Sequence, residues 1–64
     1  MIPLATMEKL LKEAGAARVS ESAKYTLQTS LSEKAHIISK KAIQFAKHAG
    51  RKTVKKEDIE LVLT

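Results

Sequence analysis

Residues His48–Leu61 read HAGRKTVKKEDIEL. Within this stretch stand a helix-stopping glycine, Gly50, the cations Arg51, Lys52, Lys55 and Lys56, a threonine, Thr53, and an acidic helix start at Glu57 and Asp58. Cations crowded into a short connection between helices suit one chemistry, the neutralisation of phosphate, to which backbone N–H groups at a helix N-terminus add donors. They do not suit turnover. The chain has no Gly-rich phosphate loop, carboxylate pair, nucleophile–base set or metal cluster, so an enzyme is the least expected reading. His48 and His36 stand too far apart along the chain to make a good metal pair, and the absence of cysteine excludes disulfides and thiolate metal sites. No cofactor and no metal are expected.

The charge supports a polyanionic partner. The net charge is +5, with a pI near 9.8, and its distribution matters more than its size. Eight Lys or Arg residues and no acid lie between Lys34 and Lys56. The acids sit mainly at Glu8 and Glu13 and at Glu57, Asp58 and Glu60.

Three elements must position these charges. Leu4, Met7, Leu10, Leu11 and Ala14 form one face of a short helix over about Pro3–Ala14, stopped by Gly15, with Pro3 in the first turn. Ser20 offers an N-cap and Glu21 an acid in the turn that follows. From there Ala23, Leu27, Leu31, Ala35, Ile38, Ala42, Ala46 and Ala49 recur every three or four residues, predicting one helix over about Ser20–Ala49. A last helix over about Lys55–Leu63 follows Thr53 or Lys55, with Ile59, Val62 and Leu63 apolar.

Length then dictates association. A helix of thirty residues spans roughly 45 Å, whereas a compact chain of this size is only roughly 28 Å across. The 64 residues, read as a single domain over 1–64, also bury too little surface to be stable alone without a support. With disulfides and thiolate sites excluded, that support is a second copy, crossing at the middle of the long helix around Leu31, Ala35 and Ile38. No segment resembles a signal peptide or membrane span, so an intracellular protein is expected.

Short helix, long helix, short helix resembles the histone fold. KEAGAARVSESAK (Lys12–Lys24) and AIQFAKHAGRKTVKKEDIEL (Ala42–Leu61) look like the two most characteristic stretches of archaeal histones. The resemblance covers nearly the whole chain. It implies an all-α, obligate handshake homodimer in which the first loop of one chain lies beside the second loop of the other, with Val19 and Val54 in short strands that pair between chains. It implies a chromosome- or nucleoid-associated protein of the cytoplasm that compacts double-stranded DNA largely without sequence preference, with no membrane partner. Related chains of the same fold are further implied partners.

The resemblance also assigns residues. Arg18 matches an arginine that enters the DNA minor groove. Lys52 and Thr53 match phosphate contacts of the second loop. Lys9, Lys12, Ser20, Lys24 and Lys55 stand where helix ends approach the DNA backbone. Arg51 and Asp58 match a pair that braces the second loop. Phe45, His48 and Asp58 match positions that meet between dimers, and Gly15 matches a small residue that permits stacking of successive turns. The sequence also departs from the family. It ends at Thr64, where many relatives continue, which should thin the cover over the core. His36 and Ile37 replace a charged stretch, with Ile37 on the face of Lys34, Lys41 and Gln44. Lys40 and Lys41 add basic charge, and Lys47 alters expected charge pairs. A dimerisation module of a transcription complex, with little DNA contact, is the alternative function. A basic helix lying on anionic membranes is a weaker rival.

Overall fold

The computed structural model describes residues 2–64. Three α-helices follow one another: α1 Leu4–Glu13, α2 Glu21–His48 and α3 Lys56–Leu63. No strand occurs among the described residues of the single chain, and the pairing expected of Val19 and Val54 would be made between chains. α2 runs unbroken and contributes to two compact units, one ending at Glu33 and the other starting at Lys34.

The long helix begins as its sequence predicts. The Ser20 hydroxyl accepts the Ala23 N–H at 3.1 Å, satisfying one of the donors left over at a helix start. Ser20→Ala is therefore expected to lower stability by about 1 kcal/mol, measured by chemical denaturation at fixed chain concentration. The first helix begins differently from expectation. Pro3 lies in extended backbone, φ −62° and ψ 145°, at the cap position before the first turn. Its carbonyl accepts the Thr6 N–H, and no side chain caps α1.

α1 and α2 end by the same device. Gly15 has φ +116° and Gly50 φ +72°, conformations that a Cβ disfavours. At each, the glycine N–H bonds a carbonyl three residues back, Lys12 or Lys47, and the next N–H bonds one five back. These paired bonds satisfy carbonyls that the helix leaves open. They also set the direction in which each loop departs, which places Arg51 directly after the second reversal.

In the first unit, Met7 of α1 is fully buried, and Glu8 of α1 reaches Lys24 near the start of α2. The Gln28 side-chain amide donates to the Ile2 carbonyl. In the second unit, α2 turns Ala42 and Ala46 inward, and the carboxyl group buried with them is Asp58 of α3. Met7, Ala42 and Ala46 are the buried apolar residues among those described. Along the predicted stripe, Leu27, Leu31 and Ile38 are half-buried, while Ala23, Ala35 and Ala49 are exposed.

Candidate nucleic-acid interface

The second loop is the most closely specified part of the surface. Arg51 Nη2 donates to Asp58 Oδ1 at 2.8 Å and Nη1 to Oδ2 at 2.9 Å, a two-pronged guanidinium–carboxylate pair of the strong kind. Nη1 also donates to the Thr53 carbonyl at 2.9 Å, and Asp58 Oδ2 accepts the Lys55 N–H at 2.8 Å. One carboxylate thus caps α3 and anchors an arginine that closes α2. A lysine side chain has no acceptor, so the cap at α3 is one-sided, made by Asp58. Lys55, not Thr53, occupies the cap position.

Burial would by itself raise the carboxyl pKa. The Arg51 guanidinium, followed by the Lys55 N–H, outweighs it and holds Asp58 down to about 2. Asp58 in turn pushes the Arg51 pKa up. This brace spends the charge of Arg51 inside the loop. Lys52, Thr53 and Lys55 remain exposed around it, with no ion-pair partner for either lysine among the described residues. An apolar recess framed by Ile43, Ala46 and Val54 opens beside them, rimmed by Lys47, Arg51 and Lys52.

The first unit treats its cations unequally. Arg18 and Lys9 are exposed and pair with no acid among the described residues. Lys12 lies 3.3 Å from Glu8 at an exposed position. Lys24 is turned inward, with only 13% of its side chain exposed, 2.6 Å from Glu21 and 3.9 Å from Glu8. The Glu21 hydrogen bond leads in raising its pKa, against burial. The sequence groups Lys24 with DNA-contacting lysines, whereas in the fold its charge joins α1 to α2. Neither Gln28 nor the Glu8–Lys24–Glu21 cluster follows from the sequence. The one available signal is the spacing of Glu21 and Lys24, a local helix pair.

Of the residues expected between dimers, Phe45 and His48 are exposed and Asp58 is 2% exposed. Asp58 already accepts three bonds, which leaves about one of the four acceptor sites of a carboxylate. Gly15 is exposed, and a Cβ there would meet nothing within 4 Å. No group of His, Cys, Asp and Glu able to hold a metal occurs among the described residues. No described helix is long and apolar enough to cross a membrane.

A long helix flanked by two short ones, with twin glycine reversals and a carboxylate-stapled second loop, is the histone fold. The match to the family of histone-like transcription factors (CBF/NF-Y) and archaeal histones extends over residues 1–63, and the chain belongs to that family. It is 50% identical over 62 residues to one of the subunits of archaeal histone HAN1 from Thermococcus zilligii, covering 97% of this chain and 92% of that protein. It is 47% identical, with the same coverage, to the probable archaeal histone 3 of Methanocaldococcus jannaschii.

Proposed function

We propose that two copies join as a handshake homodimer that binds double-stranded DNA and compacts it as a chromosome-associated, non-enzymatic protein. The brace between Arg51 and Asp58 carries this reading. It fixes the second loop while leaving Lys52, Thr53 and Lys55 exposed beside the open N–H groups at the start of α3. Family membership supports the same reading, and makes a transcription-complex module with little DNA contact the less favoured function.

The homodimer rests on the small enclosed core. Leu61 and Leu63 are 55% and 66% exposed in the single chain, and Ile43 and Val54 line an uncovered recess. A second copy would cover them. Pairing the first loop of one chain with the second loop of the other would then set Arg18 beside Lys52 and Thr53. Arg18 enters a minor groove narrowed by bending, while Lys52, Thr53, Lys9 and Lys12 hold phosphates. Ser20 and Lys55 lie at helix starts that face the same backbone, and Lys24 contributes field more than contact. Phe45, His48 and Asp58 would join neighbouring dimers, and Gly15 would permit successive turns to stack. Related histone-fold chains are further partners.

Ring closure of short duplexes tests the rim. Arg18→Ala is expected to reduce protein-assisted closure several-fold, and Lys34→Ala to leave it nearly unchanged. Equal, small effects of the two substitutions would remove Arg18 from the site.

A further inference from the structure

The second half of α2 carries cations that neither the loops nor the brace uses. At about 3.6 residues per turn, Lys34, Ile37, Lys41 and Gln44 share one face, bordered by Lys40 and Lys47, with Ala42 and Ala46 on the opposite side. The alanines are buried, and the six residues of the basic face are exposed, Ile37 at 55%. No acid interrupts the segment from Lys34 to Lys56, and among the described residues Lys34, Lys40, Lys41 and Lys47 form no ion pair. A dimer that buries the alanine side leaves this side in water as far as Gln44; His48, one turn further on the same face, is the position given to contact between dimers. Like charge also opposes its packing against a second copy of itself.

We propose that this face of α2 is a second binding surface for double-stranded DNA, joining another duplex to the one held by the loops. The inference rests on the loop rim being the first duplex site. Charge complementarity selects the occupant. From Lys34 to Lys47 the helix rises roughly 20 Å, and a duplex presents one phosphate charge per roughly 1.7 Å of its axis. The rod therefore runs alongside about a dozen duplex phosphates; four lysines per protomer meet those on the near side, and Glu33, where this side of the helix begins, is its one carboxylate. Ile37 and Gln44 between them give the face no acidic or bulky obstruction to a passing backbone.

A two-duplex capture assay tests this. One duplex is fixed to beads, and a labelled duplex is offered in solution with the protein. The wild-type chain is expected to retain the labelled duplex. The Lys34→Gln/Lys40→Gln/Lys41→Gln variant keeps good helix formers and is expected to lose at least tenfold in retention, while its affinity for a single duplex changes less than threefold. Arginine at the same three positions is expected to restore capture, which separates loss of charge from loss of fold. Retention by the glutamine variant at the wild-type level, no capture by the wild-type chain, or equal loss of single-duplex binding and capture would each overturn the proposal. So would tighter retention of labelled polyglutamate than of duplex, which would mark the face as a site for acidic protein. Failure of the wild-type chain to bind even one duplex would instead overturn the loop rim.

Discussion

Affinity for duplex DNA is expected to fall by roughly 10³–10⁵ between 50 and 200 mM salt, the drop that six to ten phosphate contacts produce by recapturing released counterions. The proposed dimer would supply that number from two copies each of Arg18, Lys52 and Lys9, with Lys12 and the helix starts adding to it. Fluorescence anisotropy across salt, at fixed chain concentration, measures the slope. Lys52→Gln removes two contacts per dimer and should make the slope of log affinity against log salt shallower by roughly 1.8. Lys24→Gln should leave the slope unchanged, because the Lys24 ammonium is already matched by Glu21 and Glu8. A slope near zero for the wild-type chain would contradict phosphate neutralisation as the source of binding.

The second large effect concerns the brace. Asp58→Ala leaves a partly buried guanidinium without its counter-charge and uncaps α3. Removing one partner of a buried pair is among the costlier single substitutions, and in a domain of this size it should lower the midpoint of thermal unfolding by on the order of 10 °C. DNA affinity should fall with it, since Lys52 and Thr53 lose their fixed positions. The pH dependence has a definite sign. The folded pKa of Asp58, about 2, lies below the ordinary carboxylate value, so the folded chain holds fewer protons than the unfolded one. The stability it contributes is fully present above about pH 4 and is lost as pH falls through about 2. Acid melting of the wild-type chain should show this loss, and Asp58→Asn should flatten it. An Asp58→Asn curve that superimposes on the wild type below pH 4 would show that the pair contributes nothing to folding.

Local signals carry most of the fold. Gly15, Gly50, Ser20 and, in its capping of Lys55, Asp58 each act within five residues of their own position. The helix boundaries they imply lie within about a residue of those observed. The Arg51–Asp58 pair spans seven residues and is legible only through the resemblance of the second loop to that of archaeal histones. Pro3 sits one position earlier than its sequence suggests, because a fixed φ suits both the cap and the first turn. The contacts that escape sequence reading join residues distant along the chain. Nothing in the periodicity of α2 brings Glu8 to Lys24 or Ile2 to Gln28, since both depend on how α1 lies against it. The apolar stripe is legible, but its burial is not, because a single chain encloses little beyond Met7, Ala42 and Ala46.

With so scant an interior, the proposed pairing would make folding a second-order process. If a chain gains its core only on meeting another, the folded fraction depends on abundance, and dilution melts and dissociates the pair in one event. A solitary chain would then be an open substrate for proteases until it finds a mate. The amount of packaging protein in a cell would then respond more than proportionally to its synthesis, and surplus chains without a mate would be cleared rather than stored.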